Sequence, residues 1–476
     1  MKIHFNKTKI IATVGPACNK KEQLLDLIKE GVDVFRLNFS HGSHDEHKKV
    51  IDFVRELNDE YNLNIALLQD LQGPKIRTRE VENNGVMLTT GEQLILTTDK
   101  IIGTVERVGH TYMEMPQDVR VGDMILLDDG KIELKVTKVE GTEVYTEVIY
   151  GGILKSKKGI NLPNTPISIP ALTEKDREDL VFGLANEVEW VALSFVRTAQ
   201  ELRELKELIK QSGKRTRIIA KVEKPEALTN IDEIIEATDA VMVARGDLGV
   251  EIIAEEVPIY QKLIINKCNK AAKPVIVATQ MLESMITSPR PTRAETNDIA
   301  NAVIDGADVV MLSAETASGM YPILAVRSMN ETIRFVELKA NVYNREFEMP
   351  KEKNENFLSN CIILSACELA HEVEAKAIVG STSTGHSAMR ISSHRPKADI
   401  FIFTDNKFLV NSLSLVWGVR AFFYESKSTT DDTIEEMEKL LKEKGLLTHG
   451  DSVVSTSSMP VTYKQRTNMM KLSVVK

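Results

Sequence analysis

The chain of 476 residues has room for about three domains, and 60 basic against 69 acidic residues give it a formal charge of −9. This acidic balance argues against a nucleic-acid partner, and the lack of any apolar run of about 18 residues argues against a membrane-spanning helix. An N-terminus without a signal-peptide pattern and four scattered cysteines without a CxxC motif predict a cytoplasmic protein.

Eight short apolar runs recur along the first two thirds of the chain, separated by helix-like segments such as residues 20–30 and 43–58. Uniformly apolar runs are typical of parallel strands that are buried on both faces. Eight alternations of strand and helix favour a (β/α)8 TIM barrel over its competitor, a doubly wound sheet. The predicted strands cover residues 9–14, 32–37, 65–69, 190–194, 217–221, 240–244, 275–279 and 309–313.

Two segments depart from this pattern. About 120 residues separate the third run from the fourth, too many for one strand–helix connection. Alternating stretches such as 131–136, with turn signals at 128–130, predict a small β-barrel lid domain inserted over residues 75–169. The TIM barrel is then split into 1–74 and 170–342, and residues 343–476 are predicted to form a C-terminal α/β domain.

Charged or hydrogen-bonding residues follow six of the eight predicted strands. Active sites of TIM barrels lie at the carboxyl ends of the strands, so we expect these groups to meet at one rim. A rim cluster with both signs of charge suggests bound anions together with a metal ion. Its members are Arg36, Asn38, Ser40, His41, Asp70, Lys75, Arg77, Lys221, Glu223, Gly246, Asp247, Thr279, Ser313 and Glu315.

Lys221 and Glu223 lie two apart on an extended segment and therefore face the same side, close to Asp247 of the next strand. Two carboxylates suit Mg²⁺, and a lysine beside them suits a phosphoryl group in transfer. A plain salt bridge in the barrel mouth is an equal alternative for this group. For Thr279, an N-cap of a helix over 280–285 is the alternative to substrate binding.

Nine segments, in order and over essentially the whole chain, resemble the pyruvate kinase family. They are KIIATVGPA (9–17), VFRLNFSHG (34–42), QDLQGPKIRT (69–78), SKKGINLP (156–163), AKVEK (220–224), VARGDLGVE (243–251), ATQMLESMI (278–286), PRPTRAE (289–295) and MLSAETA (311–317). The resemblance, to the bacterial type, implies phosphoryl transfer from phosphoenolpyruvate to ADP, giving pyruvate and ATP. It also implies Mg²⁺ or Mn²⁺, a homotetramer and control by a phosphorylated effector.

The resemblance assigns roles to individual residues. Catalysis falls to Lys221, Thr279, Arg36 and Arg77. Substrate binding falls to Arg36, Lys221, Gly246, Asp247, Thr279, Ser313 and Glu315. The nucleotide contacts are Asn38, His41, Arg77 and Lys158, and the metal ligands are Glu223 and Asp247.

One position departs from the family pattern. Many members have Asp-Thr-Lys-Gly-Pro-Glu where this chain has DLQGPK at 70–75. The form with glutamate resembles enzymes that hold K⁺ at positions matching Asn38, Ser40, Asp70 and the carbonyl of Leu71. The ammonium of Lys75 would repel a second cation there, so we hypothesise that it replaces K⁺, which is then not required. The alternative is that Lys75 points to solvent and the ion still binds.

The C-terminal domain carries a candidate phosphate site in a loop before a helix, at Ser381, Thr382, Ser383, Thr384 and Gly385. Hydroxyls and helix N–H groups suit an effector phosphate, and a serine- and threonine-rich helix cap is the alternative. The loop 463–467, with Lys464 and Arg466, is a further candidate for effector contacts.

Two other functions compete. Related barrels bind pyruvate enolates for aldol cleavage or dikinase chemistry, but without the inserted lid and the Asn-Phe-Ser-His element. A non-catalytic regulatory paralogue would have lost reactive residues, whereas Lys221, Glu223, Asp247, Thr279, Arg36 and Arg77 are all present.

Overall fold

The computed structural model describes residues 5–163, 165–344, 354–425, 430–459 and 466–476. The strands in these residues are β1 (Lys9–Thr13), β2 (Val34–Asn38), β3 (Ala66–Asp70), β4 (Val86–Leu88), β5 (Gln93–Thr97), β6 (Arg107–Gly109), β7 (Met124–Leu127), β8 (Ile132–Glu140), β9 (Glu143–Tyr150), β10 (Gly152–Leu154), β11 (Ile160–Asn161), β12 (Trp190–Leu193), β13 (Arg217–Val222), β14 (Ala240–Ala244), β15 (Val275–Ala278), β16 (Val309–Leu312), β17 (Ala377–Ser381), β18 (Asp399–Thr404), β19 (Val419–Phe423), β20 (Ser452–Ser457) and β21 (Met469–Val474).

The α-helices in the same residues are α1 (Lys21–Lys29), α2 (His44–Tyr61), α3 (Met115–Asp118), α4 (Glu174–Ala185), α5 (Ala199–Gln211), α6 (Pro225–Thr229), α7 (Ile231–Ala237), α8 (Arg245–Glu251), α9 (Val257–Ala271), α10 (Arg293–Asp305), α11 (Ala314–Ala317), α12 (Pro322–Lys339), α13 (Phe357–Glu372), α14 (His386–Ser393), α15 (Lys407–Ser412) and α16 (Thr430–Glu443). None of the described helices is long and apolar enough to cross a membrane.

Eight parallel strands close a barrel in the order β1-β16-β15-β14-β13-β12-β3-β2, which confirms the predicted TIM barrel. Successive side chains alternate between two cores. Ile11 and Val34 point into the barrel, whereas Ile10 and Phe35 pack against the surrounding helices. Because both faces of each strand are covered, the strands read in the sequence as continuous apolar runs.

The segment between β3 and β12 forms the lid. A six-stranded sheet in the order β11-β7-β8-β9-β5-β6 shares one apolar core with the β4–β10 pair. Isolated bridges from Arg77 to Gly159 and from Thr78 to His110 connect the two edges of this sheet. These bridges close the inserted segment into a small barrel.

The C-terminal domain is a five-stranded sheet in the order β19-β18-β17-β20-β21, with β21 antiparallel to its neighbour. It docks against the amino-end face of the barrel. Trp190, the first residue of β12, donates its indole N–H to the carbonyl of Ser412 at 3.1 Å. Arg395 reaches Asp308, just before β16, at 2.9 Å. The rim at the carboxyl ends of the strands and the C-terminal domain therefore occupy opposite ends of the barrel.

Candidate active site

Five charged residues gather at the carboxyl-end rim around Asp70, the last residue of β3. Asp70 Oδ2 accepts a hydrogen bond of 2.7 Å from Arg36 Nε, and its Oδ1 lies 3.1 Å from the Lys221 ammonium. Lys221 lies 2.9 Å from Glu223 Oε1 in turn. Asp247, in the first turn of α8, acts electrostatically on both Lys221 and Glu223. The rim thus combines two cations with three carboxylates.

The protonation of these groups follows from their mutual charges. Burial opposes the charge on Lys221, but Asp70 and Glu223 outweigh it and raise the pKa of the lysine. Burial also works against charge on Asp70, yet Lys221 and Arg36 prevail and lower its pKa. Burial and then the charge of Asp247 raise the pKa of Glu223, against the effect of Lys221. The site therefore holds a protonated Lys221 beside Glu223, a carboxylate whose negative charge is not fully balanced by the neighbouring cations.

The residues present fit a divalent cation at Glu223 and Asp247. The Glu223 side chain is 1% exposed, and its Oε1 accepts no well-directed hydrogen bond from any described residue. Its Oε2 accepts the backbone N–H of Phe195 at 2.7 Å, which fixes the carboxylate plane. No group of three or more His, Cys, Asp or Glu side chains placed to hold a metal ion occurs in the described residues. A Mg²⁺ ion at Glu223 and Asp247 would take its remaining ligands from substrate and water.

Gly246 and Thr279 meet at the ends of β14 and β15. The Gly246 N–H donates to Thr279 Oγ1 at 2.7 Å, and Thr279 adopts φ +69°, a strained conformation for a β-branched residue. Arg245 supports this turn, because it donates to the Thr279 carbonyl at 2.7 Å while paired with Asp298 at 2.7 Å. The following 3₁₀ helix, Glu283–Ile286, has Leu282 as its N-cap, so the N-cap alternative for Thr279 is wrong.

Glu315 lies behind the rim, at 1% exposure. One carboxylate oxygen accepts the N–H of Ser313 at 2.7 Å, and the other accepts the N–H of Leu282 at 3.1 Å. Glu315 thereby ties the end of β16 to the turn after β15. Ser313, half-buried at the N-cap of α11, stands closer to the open rim.

The predicted nucleotide residues lie on the outer side of the rim. Asn38 Oδ1 accepts the N–H of Ser40 at 3.1 Å, which folds the Asn-Phe-Ser-His loop into a turn. Partial burial lowers the pKa of His41, and the positive charges of Arg77, Lys75 and Arg36 lower it further. Lys158 in the lid is paired with Asp128 at 2.8 Å. Arg77 and Lys75 therefore lie close enough to the loop for their charges to act on His41.

Lys75 is half-buried where the lid meets the barrel. Its Cε lies 3.9 Å from the position that a Cβ would occupy on Gly159, and it lines a cleft together with Asp247. The partners of the Asp70 carboxylate are Arg36, Lys221 and Ser194, not Lys75. Lys75 thus acts on the loop by its charge, through His41, rather than by direct contact with Asp70.

In the C-terminal domain, the predicted phosphate loop joins β17 to α14. Thr382 Oγ1 accepts the Gly385 N–H at 2.9 Å, so part of the loop forms a hydroxyl-stabilised turn, whereas Gly385, the N-cap of α14, makes no side-chain capping hydrogen bond. Ser383 and Thr384 are exposed. The carbonyl of Thr384 accepts a 2.6 Å hydrogen bond from Arg217, the first residue of β13. Of the second candidate loop, residues 463–465 lie outside the described residues.

Sequence reasoning identified the charged rim residues but not two neutral or supporting groups. Ser194, just after β12, accepts a hydrogen bond from Lys221 at 2.8 Å, and Arg245 holds the strained turn at Thr279. Ser194 was visible only as the end of an apolar run. Arg245 directly precedes Gly246 and Asp247, and the sequence reasoning assigned roles only to those two residues.

A buried lysine and a partly buried arginine lie at a carboxylate-rich rim of the barrel, an arrangement that suits the transfer of charged groups: the fold and site are those of a phosphotransferase. Family models for the pyruvate kinase barrel domain and alpha/beta domain match residues 5–326 and 360–473. The chain therefore belongs to the pyruvate kinase family.

Individual relatives agree with this assignment. The chain is 43% identical, over 98% of its length and 80% of theirs, to a pyruvate kinase of Geobacillus stearothermophilus. It is 42% identical, over 99% of its length, to one of Clostridium perfringens, which it covers completely (100%). Among solved structures, a pyruvate kinase from Cryptosporidium parvum superposes with a TM-score of 0.91 at 35% identity, covering 99% of this chain and 96% of that one.

Proposed function

We propose that this chain transfers the phosphoryl group of phosphoenolpyruvate to ADP, giving pyruvate and ATP, with the chemistry at the rim around Lys221. The carrying observation is the ammonium of Lys221, held between Asp70 and Glu223 at 3.1 and 2.9 Å with its pKa raised. A lysine kept charged at neutral pH places a fixed positive charge where the phosphoryl group and the enolate oxygen develop negative charge.

Arg36 and Arg77 complete the positive side of the site. Arg36 is fixed from two sides, by Asp70 at 2.7 Å and by Thr13 Oγ1 at 3.0 Å, and so offers a preorganised guanidinium to phosphate oxygens. Arg77 approaches from the lid, beside the loop that carries Asn38 and His41. We place the phosphates of ADP between that loop, Arg77 and Lys158.

The substrate carboxylate lies, in this proposal, against the backbone of Gly246 and Asp247 and the hydroxyl of Thr279. The Gly246 N–H donates to Thr279 Oγ1 at 2.7 Å, so the two groups lie side by side. Thr279 and Ser313 belong to the route by which the enolate receives its proton. Glu315 orients Ser313 through its backbone N–H.

Glu223 and Asp247 are the proposed ligands of Mg²⁺, or of Mn²⁺ in its place. When bound, the cation neutralises charge on the substrate oxygens. The chain's own contribution is to hold the Glu223 carboxylate rigid through the Phe195 N–H on Oε2, while Oε1 faces the Lys221 ammonium at 2.9 Å.

The lid excludes water from phosphoryl transfer when it closes. Asn161 of the lid donates to Glu251 of the barrel at 2.9 Å, and Lys224 donates to the same oxygen at 2.8 Å. We propose that this contact holds the lid against the barrel when the lid is closed. The domain limits 75–169 for the lid, 1–74 with 170–342 for the barrel, and 343–476 for the C-terminal domain remain our assignment.

We propose further that activity does not require K⁺, because Lys75 supplies a positive charge next to the Asn38–Ser40 loop. The support is the effect of its charge on the pKa of His41. Exchange of K⁺ for tetramethylammonium in the assay should leave turnover unchanged. A large gain on adding K⁺ would show that Asn38, Ser40, Asp70 and the Leu71 carbonyl still bind the ion.

The chain is also proposed to form a homotetramer that binds a phosphorylated effector at Ser381–Gly385. Two exposed hydroxyls beside the N-terminus of α14 support the effector site. Titration of sugar phosphates and nucleotides into the assay identifies the effector, and sedimentation gives the subunit number. The four cysteines are free thiols, in keeping with a cytoplasmic location.

A coupled assay with lactate dehydrogenase, phosphoenolpyruvate, ADP and Mg²⁺ tests the main proposal. We expect pyruvate formation that depends on ADP. Folded protein that forms no pyruvate would instead favour a regulatory paralogue, and cleavage of a substrate carbon–carbon bond would favour an aldolase.

A further inference from the structure

Ser194 is a buried hydroxyl at the centre of the rim that the proposed roles do not use. It follows the last residue of β12 and is 2% exposed. Its Oγ lies 2.8 Å from the Lys221 ammonium and 2.7 Å from the carbonyl oxygen of Leu71. Of the three oxygens around that ammonium, Ser194 Oγ is the closest.

The direction of these hydrogen bonds follows from the chemistry of the groups. The carbonyl of Leu71 can only accept, so the hydroxyl proton of Ser194 points to it. The ammonium of Lys221 can only donate, so it must donate to a lone pair of the same oxygen. One hydroxyl thereby ties the catalytic lysine to a fixed point of the backbone after β3, and neither bond can reverse.

The other two oxygens around Lys221 have competing tasks. The Asp70 carboxylate also binds Arg36 at 2.7 Å, and Glu223 is the proposed metal ligand. A cation on Glu223 would draw that carboxylate away from the ammonium, and an incoming phosphoryl group attracts both Arg36 and Lys221. Ser194 carries no charge, and its contact with Asp70 Oδ1 is long, at 3.4 Å, so its bond to Lys221 can persist while the charges rearrange.

We infer that Ser194 is a positioning residue for Lys221, whose ammonium it holds in place during phosphoryl transfer. This inference rests on the proposed function. It adds a requirement to that function: the hydroxyl acts only through the lysine, and its loss should affect turnover rather than nucleotide binding. A displacement of about 1 Å at a reacting group can cost on the order of a hundredfold in rate.

The test is Ser194→Ala, assayed for pyruvate formation with wild type alongside. We expect kcat to fall about 10- to 100-fold with an unchanged KM for ADP. Ser412→Ala is the matched control, because Ser412 is equally buried and its Oγ donates to the Phe408 carbonyl at 2.8 Å, far from the rim. The control should keep its kcat while losing comparable thermal stability.

A double-mutant cycle separates positioning from a general structural role. In a Lys221→Met background, Ser194→Ala should cause no further loss, since the group it positions is gone. The inference is overturned if Ser194→Ala retains wild-type kcat, or if its loss is fully additive with that of Lys221→Met. An inactive wild type would instead refute the proposed function itself.

Discussion

The two ends of the barrel bury cations in opposite ways. At the carboxyl end, Arg36 and Lys221 face three carboxylates, and Glu223 keeps one oxygen without a hydrogen bond from the described residues. At the amino end, Arg395 meets the single carboxylate Asp308 at 2.9 Å and also donates to the Gly306 carbonyl and the Asn269 side chain, while its Nε has no hydrogen-bond partner in the described residues. One end has negative charge in excess; the other is balanced.

Lys7 is a second buried cation at the amino end. Its ammonium donates to three consecutive carbonyls, those of Pro396, Lys397 and Ala398, and lies 5.3 Å from the Trp417 ring. These three carbonyls are neutral and all accept from the ammonium, so they do not attract an added ion. An excess of buried carboxylate, by contrast, calls for an added cation. The comparison therefore distinguishes a rim with an excess of carboxylates from an interface whose buried cations meet one carboxylate or neutral acceptors.

The largest expected effect is at the carboxyl end. Lys221→Met should lower kcat by about 1,000-fold or more, because it removes positive charge aimed at the transition state. The coupled pyruvate assay at saturating substrates measures it. The protein should remain folded by circular dichroism.

Lys7→Met is the matched control, since it removes a buried lysine at the amino end. It should lower the midpoint of thermal unfolding and leave kcat within a few-fold of wild type. If the two variants lost turnover equally, the distinction between the ends would fail.

The second-largest effect concerns the ion pair between Arg395 and Asp308, where the C-terminal domain meets the barrel. Arg395→Met should lower the free energy of unfolding by about 3–5 kcal/mol, because it leaves the buried carboxylate of Asp308 without its partner. Urea unfolding followed by tryptophan fluorescence reports on it directly, since Trp417 lies against the guanidinium at 4.7 Å.

Arg327→Met supplies the comparison for this variant. Arg327 pairs with Glu30 at 2.6 Å but is 49% exposed, so its loss should cost less than about 1 kcal/mol. Equal losses from both variants would mean that burial of Arg395 contributes nothing.

The sequence predicted the carboxyl end far better than the amino end. Strands buried on both faces leave continuous apolar runs, and the charges that follow them must meet at one rim. Nothing local marks Arg395, whose partner Asp308 lies 87 residues away and belongs to another domain. The antiparallel strand β21 was missed for a related reason: it is short, lies at the edge of a sheet, and alternates between half-buried and exposed residues.

The smallest expected effect is a pH dependence of the free energy of unfolding, caused by His394 at the amino end. Burial and then the charge of Arg390 lower the pKa of His394 to about 4 from 6.5, and neither ring nitrogen has a hydrogen-bond partner in the described residues. Above pH 6.5 the ring is neutral in both the folded and the unfolded chain. As the pH falls toward 4, the unfolded chain takes up a proton that the folded chain refuses, so stability is lost.

This loss should amount to about 2 kcal/mol between pH 7 and pH 5 in the free energy of unfolding from urea titrations. His394→Phe should remove it, so that the variant depends less steeply on pH than wild type. His449→Phe is the control, because water surrounds that exposed ring in both states and the slope should stay unchanged. Identical slopes for wild type and His394→Phe would show that the ring is protonated in place, and that the amino end tolerates an added charge as the carboxyl end does.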